Sequence, residues 1–407
     1  MNGASIRCDV AIVGAGIAGS ALAALLGRLG LDVLLLDGAA TPSALPALAA
    51  DIDAVDPRVS ALSPASRRLL TEIAAWESIP FPARCGYRAM RVWEQDGTGA
   101  IAFDADEIGV AELGAIVENR WVLAALMQAL QAMPGVGVRG DERIVALRLP
   151  REAAEAVQLE FASGLTVRAG LLVGADGAQS AVRRLCGIEA EEEDTGQRAI
   201  VATIRTAGSH ADTAWQCFLP SGPLALLPLA TLPGGHASSI VWSADEPVAR
   251  ELLALDDAAF AARLSQASER CAGEVLAVTP RRAFPLRQLH ARRYTDRGAV
   301  LIGDAAHVIH PLAGQGINLG LSDARVLAEE IARALQRGET ADCASALARY
   351  SRRRRGDNAA MLAAMRGFQQ LFCAREPALR LARNLGLGAV GRMAPLKRAF
   401  MRQAMGL

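Results

Sequence analysis

The chain has 407 residues, of which 52% are hydrophobic, 21% are charged and 4% are aromatic. This length predicts two or three domains, and the composition excludes an intrinsically disordered chain. The formal net charge is zero, but the stretch from Met361 to Leu407 carries eight basic residues against Glu376 alone, so the rest of the chain is net acidic.

The seven cysteines are scattered and form no CxxC or CxxxC pair, which excludes a zinc site or a dithiol redox centre built on such a pair. Unpaired thiols favour a reducing, cytoplasmic compartment. The apolar run Val10–Leu36 is broken by five glycines and contains Arg28 and Asp32. We therefore expect neither a signal peptide nor a membrane-spanning helix there, and no other apolar run is long enough to cross a bilayer.

The N-terminus predicts a strand, a helix and a second strand, at Cys8–Val13, Ile17–Leu29 and Asp32–Asp37. The first turn is Gly14-Ala15-Gly16-Ile17-Ala18-Gly19. Gly14 permits the tight turn, Gly16 lets a pyrophosphate approach the backbone, and Gly19 allows close packing of the helix on the sheet. Asp37 ends the second strand, where a carboxylate can bind ribose hydroxyls. These features predict a dinucleotide-binding βαβ unit whose helix N-terminus faces the phosphates.

Further elements follow in chain order. A loop is predicted at Ala39–Pro57, then a helix at Trp121–Met133 and strands at Val136–Arg139, Ile144–Leu149, Val157–Phe161, Thr166–Ala169 and Leu171–Gly174. From Cys186 to Phe284, short β-like runs between Gly/Pro turns are typical of an antiparallel sheet, at Arg198–Arg205, Ala214–Leu219, Ala225–Pro228 and Ser238–Trp242, with a helix near Asp256–Cys271. A strand at Ala299–Ile302 and a long helix at Ile317–Leu335 come next, and the remaining helical region is interrupted at Pro377 and Pro395.

Two further turns place an aspartate at the end of a buried strand. Asp176 lies in Gly174-Ala175-Asp176-Gly177, and Asp304 lies in Gly303-Asp304-Ala305-Ala306-His307. Each aspartate alone is explained as a turn or helix-capping residue. Both together, after a dinucleotide fingerprint, favour a long cofactor such as FAD over NAD.

The three turns together resemble the group A flavoprotein aromatic hydroxylases, which have the para-hydroxybenzoate hydroxylase fold. More narrowly, four motifs are similar to those of the ubiquinone-biosynthesis hydroxylases: Arg58-Val59-Ser60-Ala61-Leu62-Ser63, Val117-Glu118-Asn119, Pro223-Leu224-Ala225-Leu226-Leu227-Pro228 and His310-Pro311-Leu312-Ala313-Gly314-Gln315-Gly316-Ile317-Asn318-Leu319-Gly320. The resemblance covers essentially the whole chain, and the last of these motifs is its most specific part.

The resemblance implies a role for each residue that matches a motif. Asp37 is expected to bind the adenosine ribose, Arg58 to lie beside the cofactor, and Asp304 to bind its ribityl or pyrophosphate segment. The flavin ring is expected to lie against Gly314, Gln315, Gly316 and Asn318, with a helix N-terminus stabilising negative charge on the reduced ring. The full expected cofactor-binding set is Gly14, Gly16, Ala18, Gly19, Asp37, Arg58, Asn119, Asp176, Gly303, Asp304, Pro311, Gly314, Gln315, Gly316 and Asn318.

The predicted fold class is α/β. It combines a Rossmann-like FAD-binding domain, which contains a parallel sheet, with an α+β substrate domain, which contains a mostly antiparallel sheet, and with C-terminal helices. The predicted FAD-binding domain is discontinuous, at residues 1–75, 104–185 and 285–350. Residues 76–103 and 186–284 are assigned to the substrate domain, and residues 351–407 to the C-terminal helical region.

The implied reaction uses FAD, O2 and NAD(P)H as a transient co-substrate. A flavin C4a-hydroperoxide would transfer one oxygen atom to the ring of a polyprenylphenol or benzoquinol in ubiquinone biosynthesis. Because the flavin performs the oxygen transfer, no nucleophile–base pair is expected, and the sequence does not identify a catalytic side chain. Asp176 and Arg183 are candidates near the NAD(P)H route. Tyr87, Tyr294, Tyr350 or a histidine could activate a phenol. The spacing of His307 and His310 invites a metal site, but Pro311 follows directly and no third ligand is near, so no metal is predicted.

Other functions on this scaffold are a hydroxylase of a soluble aromatic compound, a flavin prenyl reductase or halogenase, and a non-catalytic FAD-binding scaffold. The basic C-terminal region is either a solvated helical face or a docking surface, for an anionic membrane or for partner proteins of a ubiquinone-biosynthesis complex. A cytoplasmic protein that is peripheral at the inner face of the membrane would fit the latter. No nucleic-acid partner is expected.

Overall fold

The structure is a computed structural model that describes residues 5–95, 97, 99–152, 155–230, 232–309, 316–373 and 394–406. In chain order, the strands are β1 (Ser5–Val13), β2 (Val33–Leu36), β3 (Val59–Leu62), β4 (Arg84–Tyr87), β5 (Ala89–Glu94), β6 (Ala100–Asp104), β7 (Gly114–Glu118), β8 (Val136–Arg139), β9 (Ile144–Arg148), β10 (Val157–Phe161), β11 (Thr166–Gly174), β12 (Ala190–Thr206), β13 (Thr213–Leu219), β14 (Gly222–Pro228), β15 (His236–Asp245), β16 (Val275–Val278), β17 (Arg282–Ala291), β18 (Thr295–Asp296), β19 (Ala299–Leu301) and β20 (His307–Val308). The helices are α1 (Ile17–Gly27), α2 (Pro64–Glu72), α3 (Asn119–Gln131), α4 (Ala181–Leu185), α5 (Glu246–Ala254), α6 (Asp257–Ala267), α7 (Gly316–Gln336), α8 (Ala344–Cys373) and α9 (Ala394–Met405).

The first sheet has the strand order β18-β19-β11-β1-β2-β8, and its four central pairings, from β19 to β8, are all parallel. All four residues of β2 are buried, as expected for a parallel strand that is covered on both faces. Helices α1, α3 and α7 contribute to the same apolar core as β1, β2 and β11. Two antiparallel strands, β9 and β10, extend the sheet beside β11.

The second sheet is mostly antiparallel, in the order β20-β17-β12-β15-β14-β13-β5-β6, with β16 paired to β12. Helices α5 and α6 cover it, and Trp242 of β15 packs against Phe260 of α6, with ring centroids 5.9 Å apart. A third sheet joins β3, β7 and β4. It brings the start of β3 next to the end of β7, because Val59 pairs with Glu118.

The C-terminal helices pack onto different parts of the molecule. Helix α8 lies along α7, whereas α9 contacts the short helical turn that follows β6. Lys397, the single lysine of the chain, has a largely buried side chain whose Nζ lies 2.6 Å from Oε1 of Glu107. Met401 and Met405 join an apolar cluster with Leu113. One face of α9 is therefore a packing surface.

These elements confirm the predicted α/β class and correct three details. The residues predicted as two strands form one continuous strand, β11, in which Gly170 fits beside the Asp9 carbonyl of β1 without a break. Helix α1 ends at Gly27, two residues before its predicted end. The helix predicted near Asp256–Cys271 ends at Ala267. Pro395 lies in the first turn of α9, where proline has no hydrogen bond to break. Pro377 lies outside the described residues.

Candidate functional site

Four predicted site segments meet at one edge of the first sheet. Strands β2, β1, β11 and β19 are adjacent and parallel, so their carboxyl ends lie side by side. In register, Val13 of β1 pairs with Leu36 of β2 and with Gly174 of β11, which in turn pairs with Leu301 of β19. The three turns that are far apart in sequence therefore form one continuous surface, at the position where open α/β sheets bind ligands.

The first turn combines two crowded glycines with one open glycine. Gly14 has a φ of +111°, and a side chain there would overlap the Ala175 carbonyl of the neighbouring turn. A side chain at Gly19 would overlap the carbonyl oxygen of Gly14. Gly16 has a φ of −69°, and a Cβ placed on it meets no atom within 4 Å. The space at the N-terminus of α1 is thus open, as the approach of a pyrophosphate requires.

Asp37 is tied to this turn by hydrogen bonds. Its Oδ2 accepts a hydrogen bond of 2.6 Å from the backbone N of Ala15, and its Oδ1 accepts one of 2.8 Å from the N of Ala39. The side chain is half-buried, and each carboxylate oxygen retains further acceptor capacity. The carboxylate is therefore fixed beside the glycine turn with room to accept ribose hydroxyls.

Asp176 has a local role in the second turn. Its carboxylate accepts hydrogen bonds from the Ser180 hydroxyl and from the backbone N of Ala181 and Val182, so it caps α4. Arg183, whose side chain is buried, donates to the Ala305 carbonyl at 2.9 Å and links this turn to the third one. The geometry of Asp176 is that of the capping residue considered as an alternative in the sequence.

Asp304 lies in the third turn, and its side chain is accessible to solvent. Desolvation by the surrounding protein raises its pKa, an effect that His307 opposes and Asp323 strengthens. The preceding residue, Gly303, has a φ of +58°, and a Cβ there would lie 3.4 Å from Cβ of Ala18 and 3.8 Å from Cα of Gly320. The third turn therefore packs closely against both α1 and α7.

Arg58 and Asn119 are neighbours in the third sheet. The backbone N of Asn119 donates to the Arg58 carbonyl at 2.9 Å, and its side-chain Oδ1 accepts from the Ser60 hydroxyl at 2.6 Å. The Arg58 side chain is exposed, and its backbone N donates to Asp56 Oδ1 at 2.7 Å.

Asn318 lies in the first turn of α7 and is engaged with β3 and α2. Its Oδ1 accepts from the Ser63 backbone N at 2.9 Å and from the Ser66 hydroxyl at 2.7 Å, while its Nδ2 donates to the Ala61 carbonyl at 2.8 Å. The side chain therefore anchors the start of α7. Gly316 begins this helix, and a Cβ at Gly316 would meet no atom within 4 Å. His310, Pro311, Gly314 and Gln315 lie outside the described residues.

Sequence reasoning missed a buried polar cluster behind the third turn. Asp323 of α7 is fully buried, and its carboxylate accepts from His307 Nε2 at 2.6 Å and from Arg354 Nε at 2.6 Å. Arg354 belongs to a run of four arginines, from Arg352 to Arg355, on a predicted helix. The spacing of Asp323 could have indicated its burial. It follows Gly320 by three residues and precedes Leu327 by four, which places it on the buried stripe of the helix.

Two of the three candidate tyrosines are structural. Tyr350 is fully buried and donates to the Leu301 carbonyl at 2.8 Å, and its pKa is raised well above its ordinary value by burial. Tyr294 is fully buried, its hydroxyl lies 3.0 Å from His290 Nε2, and burial raises its pKa. Desolvation likewise raises the pKa of Tyr87 to about 12. All three tyrosines are therefore protonated at neutral pH, and none is poised as a base.

His307 is hydrogen-bonded to Asp323, which accounts for this histidine without a metal. No group of three or more potential metal ligands occurs among the described residues. Within the same ranges, no helix is both long and apolar enough to cross a membrane.

Comparisons with known proteins identify the family. The family model described as "FAD binding domain" matches residues 7–364. The ubiquinone hydroxylase UbiL of Rhodospirillum rubrum is 39% identical over 398 residues, which cover 98% of this chain and 89% of the relative. The 3-demethoxyubiquinol 3-hydroxylase of Escherichia coli is 36% identical over 399 residues, which cover 98% of both chains. Human mitochondrial COQ6, a ubiquinone biosynthesis monooxygenase, is 33% identical over 97% of this chain and 91% of its own.

Solved structures agree on the fold. The p-nitrophenol 4-monooxygenase PnpA of Pseudomonas putida superposes with a TM-score of 0.77 at 19% identity, over 99% of this chain and 98% of its own. PqsL of Pseudomonas aeruginosa in complex with 2-aminobenzoylacetate gives a TM-score of 0.75 at 24% identity, over 93% of this chain and 100% of its own.

Proposed function

The chain belongs to the FAD-binding-domain family and is an FAD-dependent aromatic monooxygenase, and from that premise we propose that it hydroxylates the ring of a polyprenylphenol or benzoquinol in ubiquinone biosynthesis. The observation that carries this proposal is the extent of the similarity. The E. coli 3-demethoxyubiquinol 3-hydroxylase matches over 98% of both chains, so the substrate side of the molecule is included as well as the cofactor side.

We propose that the sheet edge described above holds FAD. The open space at Gly16 and the N-terminus of α1 would receive the pyrophosphate, Asp37 the adenosine ribose, and Asp304 the ribityl hydroxyls. Arg58 and Asn119 would lie beside the cofactor, and the N-terminus of α7 would favour negative charge on the ring. When bound, FAD supplies the redox chemistry, using NAD(P)H as reductant and O2 as the oxygen source.

The other predicted site residues have supporting roles in this proposal. Asn318 would position the start of α7, and Asp176 the second turn. Pro311, Gly314 and Gln315 remain expected flavin contacts. The proposed domains keep the predicted boundaries, with FAD bound by residues 1–75, 104–185 and 285–350, and substrate by 76–103 and 186–284.

Complementation tests the substrate class. The chain would be expressed in bacterial strains that each lack one ring-hydroxylation step of ubiquinone synthesis, and the quinone intermediates would be identified by mass spectrometry. We expect one strain or more to regain ubiquinone, and the position of the restored hydroxyl names the ring carbon. Asp304→Ala, which is expected to yield largely apoprotein, is the negative control. Turnover of a water-soluble phenol without any complementation would favour a hydroxylase of soluble aromatics instead.

We further propose that α9 and the basic segment before it dock on an anionic membrane surface, which would make the protein peripheral at the inner face of the membrane. Lys397 faces the protein, but Arg398 and Arg402 are exposed on the same helix. Removing the C-terminal region by truncation after Tyr350 would not test this docking, because it also removes Arg354, which pairs with Asp323 in the buried cluster.

A charge-reversal experiment avoids this damage. Arg398→Glu/Arg402→Glu would be compared with Arg263→Glu/Arg282→Glu, a pair of exposed arginines elsewhere with the same change in net charge. Cosedimentation with phosphatidylglycerol vesicles should fall several-fold for the α9 pair only, with phosphatidylcholine vesicles as the baseline. Equal losses for the two pairs would refute a specific docking face.

A further inference from the structure

The turn that carries Asp304 is bound at both of its ends by one buried carboxylate, in addition to the bond from Arg183 to the Ala305 carbonyl. Asp323 Oδ2 accepts a hydrogen bond of 2.9 Å from the backbone N of Gly303, the residue directly before Asp304, and one of 2.6 Å from His307 Nε2. Both Gly303 and His307 are buried. One carboxylate oxygen thus fixes both ends of the five-residue stretch from 303 to 307.

The second oxygen of Asp323 is bound from α8. Arg354 Nε donates to Oδ1 at 2.6 Å, and the same guanidinium donates to Asn358 Oδ1 at 2.8 Å and to Asp357 Oδ2 at 3.0 Å. Burial alone would raise the pKa of Asp323, but His307 and Arg354 outweigh it and lower the pKa below its ordinary value. Asp323 is therefore a carboxylate at neutral pH, with its charge matched by Arg354.

A buried ion pair is weak evidence for stability, because desolvation of the two charges offsets much of their attraction. The position of Asp323 beside the third turn explains the presence of this ion pair better than stability does. Asp323 binds the turn that carries Asp304, and its negative charge disfavours the charged form of Asp304. Without the arginine, only His307 would offset the negative charge of Asp323, and Asp304 would bind a proton more readily.

We propose that Asp323 is the positioning residue of the cofactor site and that Arg354 is its obligatory counter-charge, so that helix α8 takes part in FAD binding without touching FAD. This inference rests on the proposed placement of FAD at the Asp304 turn. It assigns a function to the one arginine of the run from Arg352 to Arg355 that is buried and paired with Asp323.

The chain offers a matched control on the same two helices. Glu330 of α7 is buried and pairs with Arg349 and Arg353 of α8 at 2.7 and 2.9 Å. It joins α7 to α8 as Asp323 does, but it lies seven residues further along α7 and does not contact the third turn. Glu330→Gln therefore reports what the loss of a buried helix–helix ion pair does by itself.

The experiment measures the Kd of FAD for apoprotein by quenching of flavin fluorescence, with thermal unfolding of each apoprotein beside it. We expect Asp323→Asn and Arg354→Met to raise Kd about 10- to 100-fold, the range found when a partner that orients a ligand-binding group is lost. Arg354→Lys should recover part of the affinity, and Glu330→Gln should lower the unfolding temperature with Kd within about twofold of wild type.

A pH profile separates positioning from general destabilisation. With Arg354→Met, the pH below which FAD affinity declines should move upward, because Asp304 then faces Asp323 with only His307 to oppose it. The proposal is overturned if Asp323→Asn or Arg354→Met binds FAD like wild type, or if Glu330→Gln weakens binding as much as Asp323→Asn does. Failure of the wild-type chain to complement any strain would refute the ubiquinone substrate but would leave this comparison of Kd values intact.

Discussion

Gly16→Ala separates cofactor binding from folding. The backbone at Gly16 has a φ of −69°, which alanine adopts freely, and the new methyl group would meet no protein atom within 4 Å. Gly16 is also the N-cap of α1, where alanine is less favourable than glycine by roughly 0.5–1 kcal/mol. The lower entropy of the unfolded chain offsets this by about 0.4–1 kcal/mol. The apoprotein should therefore keep its stability to within about 1 kcal/mol.

The cofactor should respond differently. The methyl group would occupy the space through which a pyrophosphate approaches the N-terminus of α1. Loss of one charge-assisted hydrogen bond costs about 1.5–3 kcal/mol, which corresponds to a Kd for FAD raised about 10- to 150-fold. Apoprotein would be titrated with FAD and followed by flavin fluorescence, and its stability would be measured by urea unfolding. Gly367→Ala on α8, where a Cβ also meets no atom within 4 Å, is the matched control and should bind FAD normally.

Two results would refute this reasoning. An unchanged Kd for Gly16→Ala would mean that the pyrophosphate does not pass over this glycine. A stability loss of several kcal/mol in the apoprotein would mean that the space beside Gly16 is filled.

Three further outcomes are expected. Gly19→Ala should lower the free energy of unfolding of the apoprotein by about 1–3 kcal/mol or more, because its Cβ would overlap the Gly14 carbonyl oxygen; a urea curve like that of wild type would contradict this. FAD affinity should fall as the pH is lowered through the raised pKa of Asp304, because the carboxylate that accepts ribityl hydroxyls must then lose a proton on binding. The titratable groups that face Asp304 are His307 and Asp323. Asp304→Asn should bind FAD more weakly, with an affinity that does not change over this pH range. Lys397 should react with an amine-selective reagent at least about tenfold more slowly in the native protein than in urea, because α9 buries it against Glu107. Peptide mass spectrometry would measure the two rates. Equal rates would mean that α9 is not docked.

The sequence predicted the parts of the site that depend on local geometry. The turn from Gly14 to Gly19, the strand before it and the acid at Asp37 lie within one βαβ unit, where spacing alone determines contact. The sequence also predicted that the three turns could converge, because a strand followed by Asp176 and another followed by Asp304 both suit a parallel sheet. The order of these strands, with β11 between β1 and β19, came only from the structure.

What the sequence could not give was the partner of each polar side chain. The motif around Asn318 gave no sign that its amide binds Ala61, Ser63 and Ser66, more than 250 positions away in the chain. Nothing in the run from Arg352 to Arg355 indicated that Arg354 pairs with Asp323. Such pairings depend on how α7 lies against other elements, and helical periodicity fixes only which face is buried.

The position of Asp323 explains why the chain keeps a charged pair in its core at all. An apolar pair often replaces a buried ion pair without loss of stability, because it avoids desolvating two charges. An apolar side chain, however, cannot accept the N–H of Gly303, whose φ of +58° the surrounding structure must maintain, nor hold His307 four residues later. Without those bonds the turn would keep only contacts such as the one from Arg183 to the Ala305 carbonyl, and the Asp304 carboxylate would be oriented less firmly before the cofactor binds. A fixed carboxylate loses less conformational freedom on binding, so the buried pair contributes to affinity even where it contributes little to stability.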